Sequence, residues 1–354
     1  MVHSLKTRFL ALLGSAALSA ALLSGCGGNP DKDPSDTDAN APVVTAAPSG
    51  STQPTTPQTT AATKTSQAST AASGLLINNP YGLPVDESLT ARLEELLKRL
   101  QSRASIYYKD LESGLTIEYL ADKQYQAASV IKAPYIHYLM EFEEIDPSEK
   151  LTLKVKQGGS KYIDDFAVGT QFTVEDLLQY TILHSDNSAY YLLSERYGFK
   201  GFNSYAAGLG IQTIQSTPLQ FPKPRFGYLT ARDAAIYFED IYHFIESDTP
   251  NAQKLYTYLT STTYQKQITA ALGDKYAVAH KYGEQGDQGY HDAAIVYAPQ
   301  PYVLTIFTTL TPETQETLGY FQEIARLIDN IHILAKMPAN GGGDPDTVQS
   351  GNTH

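Results

Sequence analysis

Residues 173–193 read Thr-Val-Glu-Asp-Leu-Leu-Gln-Tyr-Thr-Ile-Leu-His-Ser-Asp-Asn-Ser-Ala-Tyr-Tyr-Leu-Leu, two apolar periodic stretches parted by the polar turn Ser185-Asp186-Asn187. Thr173 and Asp176 have capping-box spacing, which predicts a helix from Thr173 to Leu183, and the second stretch predicts another from Ala189 to Arg196. A turn between helices can project its side chains into a cleft. There Ser185 has the chemistry to pass a proton to a leaving nitrogen, Asn187 to hold a substrate amide, and Asp186 to brace the turn through local backbone hydrogen bonds. Turns favour these three residue types on structural grounds alone, yet the ordered triplet arises by chance in roughly fewer than one chain in ten of this length.

Upstream, Ala128-Ser129-Val130-Ile131-Lys132 leads into a helix predicted from Ala133 to Phe142, with Pro134 tolerated only because it sits near the start. Serine and lysine three apart share a helix face. Ser129 near the positive end is a candidate nucleophile, and a neutral Lys132 amine is a candidate acceptor for its proton; that role requires a desolvated or positively surrounded site. S-x-x-K alone is weak, since roughly one copy is expected by chance in such a chain. Downstream, His280-Lys281-Tyr282-Gly283 closes a predicted strand, where the lysine offers charge to a carboxylate and the glycine allows close backbone approach.

The outer segments predict an α/β arrangement. Leu89, Leu93, Leu96, Leu97 and Leu100 have helical spacing behind Asp86 and Glu87. Ser105–Lys109 and Leu115–Leu120 predict a hairpin turning at Glu112-Ser113-Gly114, and 276–281, 291–297 and 303–310 predict three more strands. Leu318, Phe321, Ala325, Ile328 and Ile331 mark a closing helix. Thr230 with Asp233 repeats the capping-box spacing, so a mostly helical region is expected between early and late strands.

The ordered set of S-x-x-K on a helix start, S-D-N between helices and K-x-G on a late strand resembles the signature of class A β-lactamases and penicillin-binding proteins. The stretches ASVIKAP, TVEDLLQYTILHSDNSAYYLL and VAHKYG with HDAAIVY carry it, and the resemblance spans about Leu89 to Met337. It implies an α/β (α+β) β-lactamase/transpeptidase-like fold: a five-stranded antiparallel sheet with flanking helices and an inserted all-helical subdomain over about 129–255. It also implies acylation of Ser129, proton handling by Lys132 and Ser185, substrate binding by Asn187, Lys281, Tyr282 and Gly283, and an oxyanion hole from the backbone N–H groups of Ser129 and Glu284. The implied activity is opening of a β-lactam amide; the alternatives are a D-alanyl-D-alanine carboxypeptidase or transpeptidase acting on cell-wall peptides, and a non-catalytic binding or sensory lipoprotein. The substrate would be a small β-lactam or a D-alanyl peptide, with no cofactor or metal.

Two departures qualify the resemblance. Tyr282 stands where the family has threonine or serine, placing its oxygen farther from the backbone and unsettling carboxylate recognition there. The E-x-x-L-N loop motif that activates the deacylating water is missing: between Arg196 and Phe238 the one acidic residue is Asp233, already explained as a cap, and 211–228 is rich in Pro, Gln and Thr. Acyl-enzyme formation is therefore expected and fast hydrolysis is not.

At the N-terminus, Lys6 and Arg8 precede an apolar run from Phe9 to Leu23, the layout of a secretory signal peptide (1–25), and Leu23-Ser24-Gly25-Cys26 resembles a bacterial lipobox. Cys26 is the single cysteine, which removes disulfides and thiolate clusters and leaves lipidation as its expected use, with the protein anchored to the outer face of a bacterial membrane. Residues 26–74, dominated by Ser, Thr, Ala and Pro, predict a disordered tether, 75–337 the catalytic domain, and 338–354 a disordered tail. A formal charge of −12 without a basic stripe argues against nucleic acid, and a monomer is expected. The eight histidines lack metal-ligand spacing, and His184 and His280 are read as structural.

Overall fold

The computed structural model describes residues 74–159 and 162–335. The segment expected to be a signal peptide, Cys26, the expected tether apart from Gly74, residues 336–337 of the expected catalytic domain and the expected tail lie outside these residues. Among the described residues no helix is long and apolar enough to cross a membrane.

One antiparallel sheet runs in the order β1 (Leu76–Asn78), β3 (Thr116–Tyr119), β2 (Ala104–Asp110), β10 (Tyr302–Thr308), β9 (Tyr290–Val296) and β8 (Val278–Glu284). It has six strands, not the five expected. The extra strand, Leu76-Ile77-Asn78, is held by backbone pairing to β3 while its three side chains are exposed, so it carries no buried alternation that a sequence pattern would register. The β2–β3 turn forms where predicted: Asp110 Oδ1 accepts from the N–H groups of Glu112 and Ser113 at 2.9 and 3.1 Å, and Gly114 takes φ of 68°.

Every residue of β9 and β10 is buried, because the central sheet is covered on both faces. Alternation sorts their side chains: Tyr302, Leu304, Ile306, Ala294 and Val296 face a core built with α1 (Glu87–Leu100) and α10 (Gln315–Ala335). Val303, Phe307, Ala293, Ile295 and Ala279 face the opposite core, made by the helical layer. In α1 the predicted stripe is buried at Leu93, Leu96, Leu97 and Leu100, while Leu89 is half-buried at its entrance. Each buried leucine contributes about 1.5–3 kcal/mol of transfer free energy.

The helical layer comprises α2 (Lys132–Phe142), α3 (Val174–Leu183), α4 (Asn187–Tyr197), α5 (Lys200–Gly208), α6 (Gln212–Ser216), α7 (Ala231–Ile245) and α8 (Pro250–Thr260), followed by the short α9 (Ile268–Leu272). The expected boundary at 255 falls inside α8, whose apolar residues Leu255, Tyr258 and Leu259 belong to the same core. Two small ribbons tie the layer together: β4 (Tyr125–Gln126) with β7 (Tyr228–Leu229), and β5 (Lys150–Thr152) with β6 (Gln171–Thr173). Thr173 and Asp176 form a full capping box on α3. At α7 Thr230 caps the Asp233 N–H, but the Asp233 carboxylate turns to Thr213 Oγ1 at 2.7 Å and fastens α6 instead.

Candidate active site

The stretch 128–131 is a tight 3₁₀ turn leading into α2, so Ser129 lies in the turn and not in the α-helix. Ala128 takes φ of +47°, a conformation costing a side-chain-bearing residue about 1–2 kcal/mol, immediately before the half-buried Ser129. Across from the turn stands Gly283 of β8. A Cβ at 283 would lie 3.0 Å from Val130 Cγ2, 3.1 Å from Ala128 Cβ and 3.2 Å from Ala127 O, so glycine is what lets strand and turn close up. Strand parity places Lys281 and Gly283 on the same face as Ala279, toward the helical layer.

Lys132, Ser185, Asn187 and Lys281 converge. Lys132 Nζ donates to Ser185 O at 2.6 Å and to Asn187 Oδ1 at 2.7 Å, and lies 3.4 Å from Ser185 Oγ. Lys281 Nζ donates to the same Oγ at 2.9 Å and to Tyr282 O at 2.9 Å. Ser185 reaches between the two amines because its backbone takes φ of +54°, and Asp186 holds that shape. Asp186 caps α4, accepting from Ala189 N at 2.8 Å and, through its other oxygen, from Ile163 N at 2.9 Å. Asn187 Nδ2 donates to Gly158 O at 3.0 Å, joining Gly158 to the turn.

Both lysines are fully buried. Burial pulls the Lys132 ammonium down to about 7, assisted by the Arg225 cation and opposed by Asp186. Lys281 is pushed well below the ordinary lysine range, first by burial and then by Lys132. Lys132 Nζ thus has three oxygens of the S-D-N turn within reach, two at short distance and the Ser185 hydroxyl at 3.4 Å. No bond joins that amine to Ser129 Oγ in this arrangement: its partners are on the S-D-N turn.

Tyr282 stacks on Tyr264, with ring centroids 4.1 Å apart and planes at 20°, and Lys281 Nζ sits 4.2 Å from its ring centre. Burial raises the phenol pKa, with Ser185 opposing. A cavity of about 390 Å³ opens beside it, lined in part by Tyr264, Lys266, Glu284 and Glu313. Glu284 is the exposed last residue of β8.

Tyr264, Arg225 and Phe226 lie outside every motif, yet each packs beside a motif residue or its neighbour. The Phe226 and Tyr190 rings each lie 5.7 Å from Lys132 Nζ, flanking the amine with apolar surface. Nothing in their sequence context points to them; only the tertiary fold does. The two histidines beside the motifs are structural: His184 stacks on Tyr162 at 4.9 Å, and His280 bridges Asp292 at 2.9 Å and Thr262 at 2.5 Å inside the core. One further histidine–carboxylate group, His137 with Glu141 and Asp240, brings one ligand atom from each within 4.8 Å of the others; His137 Nε2 pairs with Glu141 at 2.7 Å, and Tyr205 links Nδ1 to Asp240 through its hydroxyl.

This fold, an antiparallel sheet joined to a helical layer with two lysines and an S-D-N turn at their junction, defines a serine hydrolase of the β-lactamase and penicillin-binding-protein type. Residues 88–331 match the beta-lactamase enzyme family, and the chain belongs to it. Beta-lactamases of Mycobacterium tuberculosis and Mycobacterium bovis are each 26% identical over 246 residues, covering 64% of this chain and 79% of theirs. Among solved structures, PBP-A superposes with a TM-score of 0.60 at 22% identity, covering 71% of this chain and 99% of its own. A beta-lactamase from Sphaerobacter thermophilus superposes with a TM-score of 0.61 at 18% identity, covering 71% and 98%.

Proposed function

We propose that the protein opens β-lactam amides through an acyl-Ser129 intermediate and releases the product slowly. The observation that carries this reading is the hydrogen-bonded convergence of Lys132, Ser185, Asn187 and Lys281 beside the turn that holds Ser129. Ser129 Oγ attacks the carbonyl carbon and gives its proton to the neutral Lys132 amine. The carbon–nitrogen bond then breaks as the proton passes through Ser185 Oγ to the leaving nitrogen, with Lys281 holding that hydroxyl in place. Backbone N–H groups of Ser129 and Glu284 receive the developing oxyanion, and Asn187 with the Lys281-Tyr282-Gly283 strand holds the substrate.

Among the described residues, no carboxylate stands free to activate a deacylating water beside Lys132. The carboxylate acting on Lys132 is Asp186, whose two oxygens are both committed to backbone N–H groups, while the flank of the amine carries Phe226 and Arg225. That observation favours a second reading, a D-alanyl carboxypeptidase or transpeptidase, for which a durable penicillin adduct is no defect. A variant of PBP-A has been solved as an acyl-enzyme complex with penicillin G, which supports both readings. Mixing the protein with penicillin G and following D-alanine release from an acyl-D-alanyl-D-alanine peptide separates them. Peptide cleavage with a long-lived adduct supports the second; adduct turnover without peptide cleavage supports the first. Absence of any adduct leaves a non-catalytic binding role.

The same proposal places the protein outside the cytoplasm as a monomer, tethered by lipid on Cys26. Cys26→Ala should move it from the membrane fraction to the soluble one, and an unchanged distribution contradicts the anchor.

A further inference from the structure

In both readings above, Ser185 Oγ delivers the proton to the leaving nitrogen, so the group which that nitrogen carries comes to lie beside Ser185, Lys281 and Tyr282. In a penicillin or a D-alanyl-D-alanine peptide that group ends in a carboxylate. Lys281 presents no surface to it: the side chain is fully buried, its Nζ donates to Ser185 Oγ and Tyr282 O at 2.9 Å each, and the Tyr282 ring centre lies 4.2 Å away. Tyr282 is buried in turn and held by its stack on Tyr264, whose hydroxyl donates to Glu313 Oε2 at 2.5 Å. In the cavity beside this pair, Lys266 donates to the other oxygen of Glu313 at 2.6 Å, while Glu284 is exposed and forms no ion pair among the described residues. Directly opposite Tyr282 in the β8–β9 register is Asp292, a buried carboxylate held by His280 at 2.9 Å and by Ile268 N at 3.1 Å.

We propose that Tyr282 makes this position select a neutral group on the leaving nitrogen, an ester or the next amide of a chain, over a free carboxylate. A carboxylate brought here loses water without meeting an uncommitted cation, which is costly. The charges acting on the Tyr282 phenol are those of two carboxylates, Glu284 and Glu313, and burial together with Lys132 works against a charge on Lys281. A neutral carbonyl oxygen needs a single donor, and a phenol hydroxyl is one. Tyr282 thus acts twice: its ring shuts Lys281 away from the substrate, and its hydroxyl offers a bond suited to an uncharged acceptor. Glu284 adds a like charge against an acid.

The test rests on the acyl-Ser129 chemistry proposed above and uses matched compounds. Acylation of the full chain by penicillin G and by its methyl ester is followed by intact mass, each rate being divided by that compound's own rate of hydrolysis by hydroxide. On this scale the ester should react at least about tenfold faster; equal rates or a faster acid overturn the proposal. Glu284→Gln, which removes a like charge and keeps the backbone N–H, should narrow the ratio about threefold. Tyr282→Thr, which uncovers Lys281, should narrow it further, and Tyr282→Phe, which keeps the ring and loses the hydroxyl, serves if Tyr282→Thr does not fold. A ratio that none of these variants moves overturns the role of Tyr282. If neither compound acylates the protein, the functional reading has failed. Calorimetry of acetyl-D-alanyl-D-alanine and of its C-terminal amide on the full chain then decides the selection by itself. Tighter binding of the amide upholds it; tighter or equal binding of the acid, or binding of neither, overturns it.

Discussion

At residue 132 a lysine is buried with no carboxylate of its own, and this sets the pH behaviour of the site. Its folded pKa of about 7 lies below the ordinary 10.5, so between those values the unfolded chain binds the extra proton and the folded chain does not. Stability must therefore rise with pH across that window, and Lys281, shifted the same way, adds to the rise. Replacing Lys132 with methionine should flatten the pH dependence of urea unfolding between about 7 and 10 and raise stability at neutral pH, while abolishing acylation; a rise as steep as before refutes the buried-amine account. Acylation should increase as pH passes through about 7, the pKa of that amine. Tyr282 is a residue whose meaning the sequence concealed. It read as a damaged recognition position, yet it forms one half of a stacked pair with Tyr264, eighteen positions earlier and outside any motif. Tyr282→Thr should cost about 2–4 kcal/mol in an unfolding titration through loss of a buried ring. A neutral result denies the stack any structural weight.

Among the elements, the contact between β8 and the 128–131 turn has the least tolerance. Gly283→Ala inserts a methyl 3.0 Å from Val130 and 3.1 Å from Ala128, so the turn must retreat. The neighbours must give by only a few tenths of an ångström. Since misplacing a nucleophile by about 1 Å costs on the order of 10²-fold, the penicillin acylation rate of Gly283→Ala should fall by a smaller factor, roughly threefold to tenfold, with the chain still folded. A wild-type rate means that strand and turn do not set the geometry. The elements with strong periodicity were legible in the sequence: the leucine stripe of α1, the Asp110–Gly114 hairpin and the Thr173–Asp176 cap are local patterns with local causes. The strand Leu76–Asn78 was not, because it gains its place from backbone pairing to β3 and buries no side chain. The Thr230–Asp233 spacing was half-legible: the cap exists, but the carboxylate serves Thr213 from another helix, a contact no spacing rule contains.

At the scale of the whole molecule, two cores share the sheet, one with α1 and α10 and one with the helical layer, and the site lies where β8 meets that layer. Among the described residues, both cores are drawn from the segment between Leu75 and Ala335. A chain beginning at Gly74 should match the full chain in melting temperature and penicillin labelling, and a marked loss of either would show that the preceding residues contribute to the fold. The candidate site was legible as far as its three motifs carry chemistry, since Ser129, Lys132, Ser185, Asn187 and Lys281 announce themselves by order and spacing. Arg225 and Phe226 did not, because their relation to Lys132 is made by the packing of a motif-free loop on α4.

The central claim is a covalent ester at Ser129 that outlives the encounter. Intact-mass spectrometry of the protein mixed with penicillin G, followed over time with peptide mapping, measures it directly. The account predicts addition of one intact penicillin mass, mapped to Ser129, absent from Ser129→Ala, and decaying over minutes or longer. An unmodified protein, or an adduct that survives in Ser129→Ala, contradicts it.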